Sequence, residues 1–179
     1  MDQSNDDLKA LVRTIPDYPH AGIMFRDITT LLLDGPGFSL CIERMAASLP
    51  VQPDLVAGIE ARGFIFGAAL ARHLGVGLVL LRKKNKLPGR VVGVNYALEY
   101  GTDRIEMHAD AVQPGQSVCL VDDLIATGGT AMAGVELLQS AGAVVPRACF
   151  AIDLPELGGA RRLRDAGVAV SSLMAFDGA

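Results

Sequence analysis

The chain has 179 residues, half of them hydrophobic, and a formal net charge of −4. This length suits one α/β domain, and a chain this rich in hydrophobic residues is not disordered. The acidic balance weighs against a nucleic-acid-binding protein, and no apolar run approaches the roughly 18–20 residues of a membrane helix.

The first fifty residues predict two helices separated by turns. Residues 6–15 show the amphipathic pattern of a short helix that Pro16 ends. Residues 18–28 are rich in turn-forming types. The sequence Gly35-Pro36-Gly37 then precedes a second helix. Its apolar residues recur at about the 3.6-residue helical period and are Phe38, Ile42, Met45 and Leu49.

Strand and helix patterns alternate from residue 55 onward. Residues 55–59 and 76–81 predict buried strands, and between them residues 63–74 predict a helix that ends at Gly75. Further strands are predicted over 91–98, 104–108, 118–121, 148–152 and 168–174, and further helices over 131–140 and 161–164. The two strands before residue 110 should be antiparallel. Near-continuous apolar strands joined by helices indicate a mainly parallel sheet covered on both faces, with ligands beyond the carboxyl ends of its strands.

Cysteine and histidine spacing predicts neither a disulfide framework nor a zinc site. The three cysteines show no C-x-x-C spacing. Cys119 and Cys149 fall within apolar strand patterns and are interpreted as small buried hydrophobes. The N-terminus lacks the basic-then-apolar pattern of a signal peptide, so we expect a cytoplasmic protein.

Residues 118–130 carry the strongest functional signal in the chain. Four apolar residues are followed by Asp122 and Asp123, then by the loop Ala126-Thr127-Gly128-Gly129-Thr130 and a helical pattern. A Gly-rich loop between a strand and a helix surrounds an anion with backbone N–H groups, so it predicts a phosphate cradle. Carboxylates beside an anion make sense if they accept hydrogen bonds from ligand hydroxyls or lie near a cation. A sugar phosphate with Mg²⁺ meets both conditions.

Two further segments fit a polyanionic ligand. The sequence Glu60-Ala61-Arg62-Gly63-Phe64 is a second loop between a strand and a helix, and Arg62 offers a fork of donors for phosphate oxygens. A basic cluster follows the next strand and comprises Arg82, Lys83, Lys84, Lys86 and Arg90. A basic run is usually a solvated face, but in a protein with two anion loops we interpret this one as functional.

The 118–130 segment resembles the phosphoribosyl-pyrophosphate (PRPP) fingerprint of the type I phosphoribosyltransferases. It is neither a Walker loop, since no Gly-Lys-Ser/Thr follows its glycines, nor the G-x-G-x-x-G dinucleotide pattern. Nearly the whole chain further resembles the adenine phosphoribosyltransferases. The additional matching pieces are residues 17–19, 22–28, 60–64, 82–83, 86–88 and 98–102. Lys84-Asn85 stands where these proteins often carry a glycine. We expect the loss of this glycine to stiffen the loop.

The resemblance implies a reaction and a set of roles. The reaction is adenine plus PRPP giving AMP and pyrophosphate, with Mg²⁺ carried by PRPP rather than bound directly by the protein. The residues implied for the 5′-phosphate are Ala126, Thr127, Gly128, Gly129 and Thr130, and those for the ribose hydroxyls are Asp122 and Asp123. Those implied for pyrophosphate are Glu60, Ala61, Arg62, Arg82, Lys83 and Lys86, and those for adenine are Met24, Phe25, Arg26 and Leu154.

The resemblance also implies a domain organisation. We expect one domain over residues 1–179 with the type I phosphoribosyltransferase fold, a small N-terminal hood over about residues 1–35, and a flexible active-site loop over residues 82–102. Within that loop, Glu99 lies between Leu98 and Tyr100 and is the expected catalytic acid or base near N7 of adenine. A homodimer is expected, with no nucleic-acid partner and no membrane.

Two alternative functions use the same signals. A phosphoribosyltransferase for 6-oxopurines needs a donor to the exocyclic oxygen, commonly a lysine. No lysine follows Lys86, although Arg147 could in principle supply the donor. A PRPP-sensing transcription regulator needs a DNA-reading element and a basic face. The N-terminal helical pattern is too short for such an element, and the chain is acidic.

Overall fold

A seven-stranded sheet forms the centre of the computed structural model, which describes residues 5–97 and 101–178. Across the sheet the strands are β5 (Val91–Ala97), β6 (Thr102–His108), β4 (Gly77–Lys83), β3 (Leu55–Ile59), β7 (Ser117–Ile125), β8 (Val144–Asp153) and β9 (Ala169–Ala175). The five strands from β4 to β9 are parallel, whereas β5 and β6 form an antiparallel pair against β4. The predicted mainly parallel α/β fold is confirmed.

Helices cover both faces of this sheet. In chain order they are α1 (Asp6–Lys9), α2 (Thr29–Leu33), α3 (Gly35–Ala47), α4 (Gly63–Leu74), α5 (Gly129–Ser140) and α6 (Gly159–Asp165). The helices α5 and α6 bury their apolar sides on one face, while α1 to α4 contribute to a second core cluster on the other. None of the helices in the described part of the chain is long and apolar enough to cross a membrane.

The N-terminal segment differs from the prediction. The expected helix over residues 6–15 ends at Lys9, and Arg13–Pro16 forms a strand, β1. This strand pairs antiparallel with β2 (Met24–Asp27), which lies in the segment predicted to be turns only. The Arg13 guanidinium forms an ion pair with Asp27 across the two strands. A partner strand more than ten residues away therefore overrides the local helical pattern, as long-range pairing often does.

The strand boundaries shift at two places that concern function. Strand β4 continues to Lys83, because Arg82 and Lys83 pair with Glu106 and Ile105 of β6. Strand β7 continues through the two aspartates to Ile125, which is paired with Asp153 of β8. Residues predicted to lie in loops thus have fixed strand positions. The helix predicted over residues 63–74 is confirmed with the same bounds, and Gly75 ends it at a φ of 71°.

Candidate active site

The loops that follow β3 and β7 meet at one edge of the sheet. These strands are parallel neighbours in which Gly58 lies opposite Val121, so their carboxyl ends reach the same level. The α4 helix begins so close to β7 that a side chain at Gly63 would come within 2.7 Å of Asp122 Oδ1. Glycine is therefore the residue type that lets this helix start beside the carboxylates.

The loop after β7 encloses a cavity of about 130 Å³. The lining residues are Asp122 and residues 124–131, which include all five predicted 5′-phosphate residues. Gly128 adopts a φ of 78° directly before α5, so the loop turns sharply into the helix N-terminus. The cavity combines free backbone N–H groups, two threonine hydroxyls and the positive end of a helix dipole, which is the chemistry that binds a phosphate.

The two aspartates of β7 have different surroundings. Asp122 lines the cavity enclosed by residues 126–130, which we call the phosphate loop because the sequence predicts that it binds a phosphate. The carboxylate of Asp123 is almost fully buried, and its Oδ2 forms an ion pair with Nε of Arg62 at 3.0 Å. This oxygen has no well-aligned hydrogen bond. The two residues remain in contact, since the backbone N–H of Asp123 donates to Oδ1 of Asp122 at 2.8 Å. Burial, together with the negative charge of Asp123, raises the pKa of Asp122 above its usual range.

The predicted pyrophosphate cations are already paired with carboxylates of the protein. Arg62 is held by Asp123, and Lys83 Nζ lies 3.4 Å from Asp103 Oδ2. The Arg82 guanidinium donates to both oxygens of Glu60 at 3.0 and 3.3 Å. These pairs hold the cations at the carboxyl edge of the sheet in the absence of a ligand anion.

Glu60 and Lys86 contact the same arginine. Glu60 also accepts a hydrogen bond from the backbone N–H of Lys83, and although its burial opposes ionisation, these bonds hold its pKa below the usual range. The carbonyl oxygen of Lys86 accepts from Arg82 at 2.9 Å, while its side chain is exposed. The carboxylate of Glu60 therefore holds Arg82 and the backbone of Lys83 in place. The peptide bond between Glu60 and Ala61 is cis.

The predicted adenine residues lie on two elements. The ring of Phe25 lies 5.6 Å from the guanidinium of Arg62, which places it beside the aspartate pair. Leu154 is buried, and its N–H donates to the carbonyl of Ile125 at the end of β7. Met24 and Phe25 are both half-buried. The Phe25 ring is thus a candidate stacking surface next to the phosphate loop.

The side chain of Arg26 does not contribute to this surface. It is buried on the opposite side of β2 and donates to the carbonyls of Asp177 and Gly178 at 2.6 and 2.7 Å. Its guanidinium also lies 4.8 Å from the ring of Phe176. Arg26 therefore anchors the C-terminal segment against β2, and only its backbone is available to a ligand. The sequence pattern of β2 alone did not reveal this role, because the partners are about 150 residues away.

The start of α6 supports the phosphate loop in a way that the sequence analysis missed. The N–H of Gly159 donates to the carbonyl of Ala126 at 2.9 Å. A side chain at Gly159 would lie 2.3 Å from this carbonyl oxygen and 2.7 Å from the N of Gly128. The Gly158-Gly159 pair was the signal available in the sequence, since adjacent glycines often mark a close backbone approach.

The predicted catalytic residue and the predicted absence of a direct metal ligand complete the list of site predictions. Glu99 lies outside the described residues. Within residues 5–97 and 101–178, no group of three or more His, Cys, Asp or Glu side chains is arranged to hold a metal ion.

A mainly parallel sheet that brings two anion loops and a carboxylate pair to one edge defines a phosphoribosyltransferase-type α/β domain. The comparisons agree, since the model of the phosphoribosyl transferase domain matches residues 29–170. The chain is 58% identical to the adenine phosphoribosyltransferase of Erythrobacter litoralis, over 97% of this chain and 98% of the relative. It is 60% identical to that of a Bradyrhizobium species, over 96% of this chain and 97% of the relative.

A solved structure gives the same result. The crystal structure of adenine phosphoribosyltransferase from Thermoanaerobacter pseudethanolicus is similar with a TM-score of 0.91 and 46% identity, over 96% of this chain and 99% of that one. The chain belongs to the adenine phosphoribosyltransferase family.

The unequal surroundings of the two aspartates predict opposite effects on stability. We expect Asp122→Asn to raise the free energy of unfolding by about 1 kcal/mol near neutral pH, because the change removes a buried charge beside Asp123. Asp123→Asn should lower it by about 1–2 kcal/mol, because Arg62 loses its partner. Urea unfolding of both variants measures this difference. Equal effects of the two substitutions would contradict it.

The pH dependence follows from the raised pKa of Asp122. A group whose pKa is higher in the folded protein contributes stability below its ordinary value of 3.8 and loses that contribution as the pH rises through the folded value. The advantage of Asp122→Asn should therefore shrink as the pH falls through that window. Urea unfolding at several pH values tests this.

The contact between α6 and the phosphate loop predicts a binding defect. Gly159→Ala should weaken PRPP binding by about 1–3 kcal/mol, because the new Cβ forces the loop backbone to move. A matched control is Gly134→Ala, whose Cβ would meet core side chains of Leu81 and Leu120 at 3.1 and 3.3 Å. The control should lower stability and leave the KM for PRPP unchanged. An unaltered KM in Gly159→Ala would mean that the loop does not depend on α6.

Proposed function

We propose that the chain transfers the phosphoribosyl group of PRPP to adenine, giving AMP and pyrophosphate in purine salvage. The observation that carries this proposal is the phosphate-loop cavity with Asp122 in its lining, beside an Arg62–Phe25 contact. In a similar solved structure, the Saccharomyces cerevisiae enzyme is complexed with adenine and an imino-altritol bisphosphate; it shares 35% identity and a TM-score of 0.91. That complex supports a site for a purine beside a phosphorylated sugar analogue.

The phosphate loop and the aspartates would bind the ribose 5-phosphate half of PRPP. The backbone N–H groups and hydroxyls of residues 126–130 surround the 5′-phosphate. Asp122 and Asp123 accept hydrogen bonds from the ribose hydroxyls, for which a carboxylate in the cavity lining is suited.

The pyrophosphate half would meet cations that the protein has placed in advance. Arg62, Arg82 and Lys83 are held by the carboxylates of Asp123, Glu60 and Asp103. A pyrophosphate that binds here competes with these carboxylates for the three cations. The side chain of Lys86 is exposed and can turn towards the pyrophosphate. Cations already held near the leaving group can stabilise the negative charge that develops there.

Adenine would bind between β2 and the end of β8. Phe25 stacks on the purine ring, the backbone around Met24 and Arg26 reads its polar edge, and Leu154 packs against it. The anchoring of Arg26 to the C-terminal carbonyls holds the β2 backbone in place for this reading. Backbone groups fixed on a strand discriminate between purines through their donors and acceptors.

The chemistry is a substitution at C1 of the ribose. The N9–C1 bond forms, the bond from C1 to the pyrophosphate oxygen breaks, and adenine loses one proton. The basic side chains stabilise the leaving pyrophosphate, and the protein orients the two substrates. Mg²⁺, bound with PRPP, adds positive charge at the leaving group. Glu99 is proposed as the acid or base near N7: when the N7–H tautomer of adenine bonds to C1 through N9, the proton on N7 passes to the Glu99 carboxylate.

The two alternatives are less well supported. Arg147, the remaining candidate donor for a 6-oxopurine, donates to Ser171 at 2.6 Å near the amino-terminal end of β8, away from the phosphate loop. Residues 5–35 form two short helices and a strand pair rather than a DNA-reading helix pair. Both observations favour adenine transfer.

We further propose a single-domain, cytoplasmic homodimer, in which residues 1–35 form the hood and residues 82–102 the active-site loop. Ile65 of α4 and Leu80 of β4 are each about two-fifths exposed, and such a dimer could cover them.

Purine specificity tests the proposed function. With PRPP and Mg²⁺, adenine should be converted to AMP, and hypoxanthine and guanine should react at least about a hundredfold more slowly, because a wrong polar edge leaves buried groups unpaired. Product analysis with each purine measures this. Equal turnover of hypoxanthine would overturn the assignment to adenine.

The role of Glu99 has its own test. Glu99→Gln keeps the shape and an accepting oxygen but cannot take up a proton, and Glu99→Leu loses both. We expect kcat to fall in the order wild type, Gln, Leu, by a total of about 10²–10⁴, with adenine affinity changing less. Full kcat in Glu99→Leu would limit catalysis to positioning and electrostatic stabilisation.

A further inference from the structure

The antiparallel pair β5 and β6 lies directly against the phosphate loop. The carbonyl of Ala97, the last residue of β5, is 3.7 Å from the position of a Cβ at Gly129. The neighbouring Tyr96 is half-buried and packs against the core cluster that α5 helps to form. Its hydroxyl also interacts with the side chain of Thr130 in the loop. One end of the strand pair therefore contacts the site proposed for the 5′-phosphate.

The same tyrosine contacts the carboxylate that holds Lys83. Tyr96 and Asp103 are opposite each other in the register of β5 and β6, so their side chains share a face. The Tyr96 hydroxyl donates to Asp103 Oδ2 at 3.2 Å, and Lys83 Nζ lies 3.4 Å from the same oxygen. The other oxygen of Asp103 accepts from the backbone N–H of Arg104 at 2.8 Å. Both oxygens of the carboxylate are thus used, which fixes its orientation.

These contacts form a continuous chain from Lys83 through Asp103 and Tyr96 to Thr130. We propose that Tyr96 and Asp103 are positioning residues that set the spacing between the pyrophosphate end and the 5′-phosphate end of the PRPP site. The inference rests on the proposed function, since it assumes that one ligand carries an anion at each end. Neither residue needs to touch that ligand.

The hydroxyl groups of Tyr96 and Thr130 make this chain of contacts sensitive to a ligand bound at the phosphate loop. Burial raises the pKa of Tyr96, and the Arg104 N–H lowers that of Asp103, so near neutral pH the tyrosine donates and the carboxylate accepts. The oxygen of Tyr96 then accepts from the Thr130 hydroxyl. A threonine has one hydroxyl proton, so a 5′-phosphate that accepts from Thr130 competes with Tyr96 for it. Binding at one end therefore alters a contact of the pair that holds Lys83 at the other.

The alternative is that the pair only ties the two strands together. A strand-pairing role predicts lower stability with similar effects on all ligands. A positioning role predicts a selective loss for the ligand that spans both ends. The two roles can be separated by comparing PRPP with ribose 5-phosphate, which carries only the 5′ end.

Calorimetric binding of PRPP with Mg²⁺, without a base, tests the proposal independently of turnover. Tyr96→Phe keeps the ring and removes the hydroxyl, and Asp103→Asn removes the charge that holds Lys83. Each should weaken PRPP binding about tenfold and ribose 5-phosphate binding less than twofold. The double variant should be no weaker than about the worse single variant, because both changes break one chain of contacts.

Kinetics and a charge-matched control complete the test. The KM for PRPP should rise while that for adenine stays within twofold, and Asp110→Asn, which neutralises an exposed carboxylate just beyond β6, should change neither. PRPP affinity within twofold of wild type in Tyr96→Phe, or equal losses for PRPP and ribose 5-phosphate, would overturn the inference. Failure of the wild type to convert adenine would instead overturn the proposed function, while the binding comparison would still decide the role of the pair.

Discussion

The parallel pairing of β3 with β7 is the constraint on which the site depends. Because Gly58 lies opposite Val121, the loop after β3 and the loop after β7 emerge at the same level. The pairing leaves room for α4 only if its first residue has no side chain, since a Cβ at Gly63 would collide with Asp122. Burial of two core clusters, one on each face, fixes the sheet that enforces this geometry. The chemistry of both loops follows from one strand register.

Electrostatics within the site reflect a compromise between stability and binding. Asp122 is a half-buried carboxylate beside a second, fully buried one, and its raised pKa shows that this arrangement costs the folded protein free energy while Asp122 is ionised. The ion pair between Asp123 and Arg62 brings a positive charge close to both aspartates and offsets part of this cost. A second ion pair joins Glu60 to Arg82. Functional sites commonly retain such destabilising groups because a ligand uses them. The site contains a set of internal ion pairs that a polyanion with hydroxyl groups is suited to rearrange.

Parts of the chain far from the fingerprint hold its loops in place. Gly159 supports the backbone of Ala126 from α6, and the C-terminal carbonyls of residues 177 and 178 hold Arg26 on β2. The β5–β6 pair contacts the phosphate loop through Tyr96. Each support is a backbone or side-chain contact rather than a ligand contact, so it limits how far the site can deform. A site built on strand ends needs such support, because loops alone hold their geometry poorly.

The sequence by itself determined the family, the alternating elements and the Gly-rich loop between β7 and α5, because these depend on local patterns such as the apolar run before Asp122 and the glycines after it. The helix over residues 63–74 was predictable for the same reason, with its end marked by Gly75. Only the tertiary structure decided that residues 13–16 form a strand, that Arg62 pairs with Asp123, and that Arg26 faces the C-terminal carbonyls. These outcomes depend on partners far away in the chain, and no local pattern specifies which distant group fills a side chain's hydrogen bonds or completes a strand's pairing.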